Sequence, residues 1–115
     1  MREMFTPLKL LDGYGLAEHV YLITDGRFSG SNRGGFVGHI CPEAAEGGPL
    51  AIVENGDRIR IDVPNRRVDL LVSEEEISRR FEAWQGPLIK VRKGYLALYA
   101  SLVKPAFRGA VMKYE

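Results

Sequence analysis

One cysteine, Cys41, stands in 115 residues, so no intrachain disulfide can form. A single thiol also cannot make up a zinc or iron–sulfur ligand set, and so sparse a use of cysteine fits a reducing compartment. No apolar run approaches the roughly 18 residues of a membrane span, and the N-terminus lacks the basic-then-apolar pattern of a secretion signal. Neither sign of charge is in excess: 16 basic and 15 acidic side chains leave a net charge of +1. Nucleic-acid binders concentrate a basic surplus on one face, and Lys90, Arg92 and Lys93, the densest basic stretch, read as solvated surface. There is no low-complexity tract and no internal repeat. The expectation is a soluble cytoplasmic protein, a single domain over residues 1–115, with no nucleic acid and no membrane among its partners.

What is present is an ordinary globular composition, 45% hydrophobic and 27% charged, in a chain long enough for one core. Phe5 to Leu16 reads as a short helix, with Thr6 as N-cap, Pro7 at the first helical position, and Gly13 and Gly15 ending it. His19 to Thr24 reads as a strand. Leu50 to Glu54, Arg58 to Val63 and Val68 to Val72 read as three more. Asn55-Gly56 is a hairpin signal between the first two, and Pro64-Asn65 turns between the second and third. The alternation from Arg58 to Val63 puts Ile59, Ile61 and Val63 on one buried face. Ser73 is an N-cap with Glu76 completing a capping box, for a helix running to about Trp84. Lys93 to Val103 reads as a last helix, ended by Pro105. Phe107 to Tyr114 is apolar enough to need a partner, either the domain itself or a neighbouring subunit, so a homodimer is open.

Chemistry is expected between Asp25 and Pro49. Seven glycines crowd those 25 residues. Each loses extra backbone entropy on folding, which leaves positive φ or close approach of the backbone as reasons for them. A serine such as Ser29 in this setting is, taken alone, a turn residue. It sits in no Gly-x-Ser-x-Gly elbow, and no His–Asp partnership can be assigned, so a hydrolase triad is unsupported.

Ile23-Thr24-Asp25-Gly26-Arg27-Phe28-Ser29-Gly30 and Gly38-His39-Ile40-Cys41-Pro42-Glu43-Ala44-Ala45-Glu46-Gly47-Gly48-Pro49 closely resemble signatures of the dihydroxy-acid dehydratase family. Glu54-Asn55-Gly56-Asp57, Ile61-Asp62-Val63-Pro64-Asn65-Arg66, Gly94-Tyr95-Leu96-Ala97-Leu98-Tyr99 and Gly109-Ala110-Val111 extend the resemblance over nearly the whole chain. The resemblance implies a mixed α/β fold: a swivelling β/β/α domain with a barrel-like, strand-rich centre and peripheral helices. It implies the C-terminal part of an enzyme whose larger N-terminal domain carries the iron–sulfur cluster and most of the magnesium site. The reaction implied is dehydration of a 2,3-dihydroxy carboxylate to a 2-keto acid, as in branched-chain amino-acid biosynthesis.

By the same resemblance, Ser29 matches the serine that takes the C2 proton of the substrate. Glu3, in Met1-Arg2-Glu3-Met4, matches a magnesium ligand, although the glycine that opens the family's motif is missing. A hydroxyl is a weak acid, so its alkoxide would need nearby positive charge. Magnesium takes one or two carboxylates from any one element, so a lone contribution is reasonable. Substrate binding could involve Arg27, Gly30 and His39. Arg27 could hold a carboxylate by a two-pronged bond or pin the loop; His39 could be an acid or a ligand, but a single histidine beside Ile40 reads first as a satisfied buried histidine. Glu43 follows Pro42 at a helix start, Asp25 shapes a turn, and Cys41 is no cluster ligand.

The chain begins inside a motif, so a fragment, an excised piece or a split-gene subunit is expected, binding no cofactor by itself and inactive without the N-terminal domain. Ser31-Asn32-Arg33-Gly34-Gly35-Phe36 varies within the motif, which leaves a gluconate- or xylonate-type sugar-acid dehydratase open. A non-catalytic docking module is the reading from a different class.

Overall fold

The computed structural model describes residues 3–30, 33–88 and 90–113. Its elements, in order, are α1 (Phe5–Gly13), β1 (Tyr21–Ile23), β2 (Gly35–Val37), β3 (Ile59–Asp62), β4 (Arg67–Leu70), α2 (Glu74–Ala83) and α3 (Tyr95–Leu102). Single 3-10 turns lie at Ala44–Glu46, Pro49–Ala51 and Ala106–Arg108. The content is mixed α/β. The barrel-like centre expected from the resemblance is not formed among the described residues: β1–β2 and β3–β4 are two separate two-stranded sheets. Four strands of three or four residues, divided between two sheets that share no hydrogen-bonded edge, form no closed ring. No helix among the described residues is long and apolar enough to cross a membrane.

Helix α1 begins one residue before the expected cap. Met4 is the N-cap residue, and the donor at Phe5 is satisfied by the Glu3 carboxylate at 2.8 Å rather than by Thr6. Pro7 stays in the first turn, where no intrahelical N–H is owed. Leu8 is buried, whereas Leu10 is exposed, and the helix stops before Leu16.

The strand expected over His19 to Thr24 shortens to Tyr21–Ile23. Its partner β2 lies inside the glycine-rich segment, in parallel register Tyr21↔Gly35 and Ile23↔Val37. The glycines there follow from close approach. A Cβ on Gly35 would stand 2.3 Å from the Tyr21 ring, and one on Gly34 would stand 2.2 Å from the Ala17 carbonyl oxygen.

The strand expected over Leu50 to Glu54 is absent, and Pro49–Ala51 turns instead. Proline presets the backbone for a first helical turn, so five apolar-leaning residues after it coil and bury Ile52. Asn55-Gly56 therefore sits in a turn after this coil and joins no hairpin. The Glu54 amide donates to the Asp57 carboxylate at 2.8 Å, and Gly56 takes φ +96°.

The β3–β4 hairpin matches expectation, with Ile59↔Leu70 and Asp62↔Arg67 paired. Asp62 accepts from the Asn65 amide at 3.0 Å and from its side chain at 2.8 Å, which closes the Pro64-Asn65 turn. The buried face is partial: Ile59 and Ile61 are half-buried, and Val63 is 76% exposed.

Helix α2 starts at Ser73, whose hydroxyl accepts from the Glu76 amide at 3.3 Å. The buried hydrophobic side chains among the described residues are Leu8, Ala17 and Ile52. That core is thin for a chain of this length.

Candidate active site

The site begins with a backbone pairing. The Met4 amide donates to the Arg27 carbonyl at 2.7 Å, and Glu3 and Arg27 form a parallel bridge. The segment entering α1 is thus laid beside the loop leaving β1. One oxygen of Glu3, Oε1, accepts from the Ser29 amide at 3.1 Å as well as from Phe5, and the Ser29 hydroxyl also hydrogen-bonds to this carboxylate. Two residues 26 positions apart, both singled out by the family resemblance, are in direct contact. Burial works to raise the Glu3 pKa. The Phe5 and Ser29 donors and the nearby Arg27 charge outweigh it, so the group lies below the ordinary glutamate value and is ionised at neutral pH.

The Asp25–Gly30 loop is held by several buckles. The Thr24 hydroxyl accepts from the Gly26 amide at 2.9 Å. The His39 amide donates to the Gly26 carbonyl at 2.8 Å, and the Thr24 amide to the Val37 carbonyl at 3.0 Å. The Phe28 and Phe36 rings pack at 4.9 Å, and a Cβ on Gly38 would intrude to 2.8 Å from Phe28. Gly30 has φ +73°, and a Cβ there would stand 3.1 Å from the Phe5 ring. The glycine density beside Ser29 therefore serves both purposes anticipated from the sequence.

The other candidates are placed less closely. Arg27 is exposed and acts on Glu3 through its charge. His39 is exposed, with φ +53°, so the buried-histidine reading is corrected. Cys41 is an exposed free thiol. Asp25 does shape a turn, but a distant one: its Oδ2 accepts from the Ala44 amide at 2.8 Å. Ser31 and Asn32, from the variable part of the motif, lie outside the described residues.

Sequence reasoning undervalued Glu43. It precedes the 44–46 turn, and its Oε1 accepts from the Ala106 amide at 2.9 Å, which ties the signature segment to the tail after α3. Its Oε2 is buried without a hydrogen-bond partner. Only the 63-residue separation hid this link; no local signal announces it. Asp25, Gly26 and Glu43 also line a groove of about 500 Å³ with Met4 and Tyr99. Ser29 is not on its wall.

No group of three or more histidine, cysteine, aspartate or glutamate residues able to hold a metal occurs among the described residues. Glu3 alone nevertheless fits a magnesium ligand. It is a hard, ionised, exposed oxygen donor, and both backbone donors fall on Oε1. An iron–sulfur cluster does not fit, because Cys41 is the sole thiol.

A family model described as dihydroxy-acid/6-phosphogluconate dehydratase C-terminal matches residues 1–110. A dihydroxy-acid dehydratase of Geobacter metallireducens is 54% identical over 115 residues, covering 100% of this chain and 21% of the relative. One from Thermodesulfovibrio yellowstonii is 52% identical over 113 residues, 98% of this chain and 20% of the relative. One from Pyrococcus furiosus is 54% identical over 114 residues, 99% and 20% respectively. The chain thus spans about a fifth of the length of the curated relatives it matches.

Proposed function

The chain belongs to the dihydroxy-acid/6-phosphogluconate dehydratase C-terminal family, and we propose that residues 1–115 act as one domain that supplies a serine base and one magnesium ligand to a dihydroxy-acid dehydratase. The observation that carries this reading is the Glu3–Ser29 contact. The reaction is loss of water from a 2,3-dihydroxy carboxylate to give a 2-keto acid, in the branched-chain amino-acid pathway of a cytoplasm. The larger part of the enzyme, beyond this chain, carries the iron–sulfur cluster and the other metal ligands. Relative to it, this domain swivels.

Ser29 is suited to the base role by position. Its amide is tethered to Glu3, so the hydroxyl is carried on an anchored loop, and the side chain itself is exposed to an incoming substrate. Glu3 would be this chain's ligand to magnesium, and the ion would supply positive charge that helps the Ser29 hydroxyl lose its proton to solvent. Ser29 Oγ, as the alkoxide, would then take the proton from C2. Arg27 and His39, both exposed near this loop, and the close-packed backbone at Gly30 would border the substrate.

The family description also names 6-phosphogluconate dehydratase, so a sugar acid is the second substrate class. The dihydroxy-acid reading is favoured because the relatives given above are all dihydroxy-acid dehydratases.

The test is to combine the chain with the iron–sulfur-loaded remainder of a relative, add magnesium, and assay 2,3-dihydroxy-3-methylbutanoate and gluconate. Ser29→Ala is expected to cut keto-acid formation by about a hundredfold or more, the scale of a lost general base. Undiminished turnover would refute the assignment.

A further inference from the structure

Helix α3 is built from Tyr-Leu-Ala-Leu-Tyr-Ala-Ser-Leu, apolar on every side, and Ser101 turns its hydroxyl back onto the Leu98 carbonyl at 2.8 Å. A helix of that kind belongs in an interior. Here none of its residues is buried; Tyr95 is 75%, Leu96 62% and Leu98 54% exposed. The tail continues the face with Phe107, Val111 and Met112, also exposed. The tail is not loose: Val103 bridges Met112, the Lys104 amide donates to the Val111 carbonyl at 2.9 Å, and the Lys113 amide to the Leu102 carbonyl at 2.7 Å. The face is preformed.

Two further observations bear on what covers it. The accessible surface is 9011 Å², against about 6,300 Å² for a compact monomer of this mass. The chain as a whole leaves open as much extra surface as a large permanent interface buries, and the α3 face and tail are part of it. The charge is also segregated. Residues 83–114 contain six basic side chains and no acidic one, while residues 1–82 contain ten basic and fourteen acidic. Lys90, Arg92, Lys93, Arg108 and Lys113 are exposed around the apolar face. A second copy meeting this face with its own would set like charges against each other. A membrane surface suits a longer helix split into polar and apolar sides, and α3 has eight residues and no such split. A protein surface with an apolar centre and a carboxylate-bearing rim suits both features.

We propose that α3 and the 103–113 tail are the face on which the remainder of the dehydratase seats, through such an acidic-rimmed apolar surface. This rests on the dehydratase reading above and names the surface by which the two parts assemble.

The experiment titrates the chain into the N-terminal four-fifths of the Geobacter metallireducens enzyme, following binding by calorimetry and activity in parallel. Leu98→Glu is expected to weaken binding at least tenfold. The double substitution Lys93→Glu, Arg108→Glu should weaken it several-fold, and added salt should weaken the wild type. All three side chains are exposed, and circular dichroism checks that the variants keep their helices. The proposal is overturned if no complex forms or if binding ignores all three substitutions. It is equally overturned if the wild type instead self-associates, or binds phosphatidylserine vesicles, with that same sensitivity. Binding that depends on α3 but yields no turnover would sink the catalytic reading alone. Turnover indifferent to these substitutions would sink the docking face alone.

Discussion

Helices α2 and α3 are nearly equal in length and opposite in how they are held. α2 is polar, capped by Ser73, and tied by Arg80 to the 52–57 turn. The Arg80 guanidinium reaches Asp57 at 2.6 Å, Glu76 at 2.8 Å and the Ile52 carbonyl at 3.1 Å, and it is only 11% exposed. α3 is apolar, starts at Gly94 without a side-chain cap, and has no buried residue. One helix is pinned by side chains of the chain itself; the other leaves its apolar side chains exposed.

The comparison can be broken most severely at the seat of α2. Ile52→Ala removes a side chain only 5% exposed from a core with few members. About 3 kcal/mol of stability should be lost, measured by chemical denaturation. Hydrogen exchange should show α2 opening while α3 amides are unchanged.

Acid attacks the same seat by another route. Arg79 and then Arg80 hold the Glu76 carboxyl at about 2, and Arg80 holds Asp57 below its usual value. Both folded values are depressed, so their contribution is fully present above pH of about 4.5, the unfolded glutamate value. It is lost as pH falls toward 2. Melting temperature should drop through that window, and Arg80→Ala should flatten the dependence.

Ser73→Ala, which takes away the cap, should cost about 1 kcal/mol. Smallest of all, Leu96→Gln on the exposed face of α3 should change the stability of the isolated chain by less than about 0.5 kcal/mol. A larger loss there would show that α3 packs within the chain after all.

The same contrast explains what could be read in the sequence. α2 and the β3–β4 hairpin were legible because their signals are local: Ser73 with Glu76, and the alternation through Ile59 and Ile61. The 50–54 stretch was misread because five apolar-leaning residues serve a strand or a coil, and Pro49 decides the matter. β2 was hidden because Gly34-Gly35 resembles a loop until Ala17 and Tyr21 are seen pressed against it. The motifs pointed to Ser29 and Glu3 without saying that they touch. Glu43 was beyond reach, since its partner amide at Ala106 is set by tertiary packing. Lys90, Arg92 and Lys93 read as solvated surface in the sequence; the exposed apolar face beside them gives that charge a context.

The clasp between Glu3 and Ser29 closes a stretch that contains α1, the exposed turn around Gly15 and strand β1. Closing a loop grows more costly only logarithmically with its length, by about 0.6 kcal/mol for each doubling. The two ends of that stretch are therefore geometrically strict while its middle is permissive. A few residues grafted at Gly15, where nothing crowds the backbone, should leave the serine and the carboxylate in register. The domain could thus accept a tag or a fluorescent reporter within its own polypeptide, at a point inside the stretch that the Glu3–Ser29 contact closes.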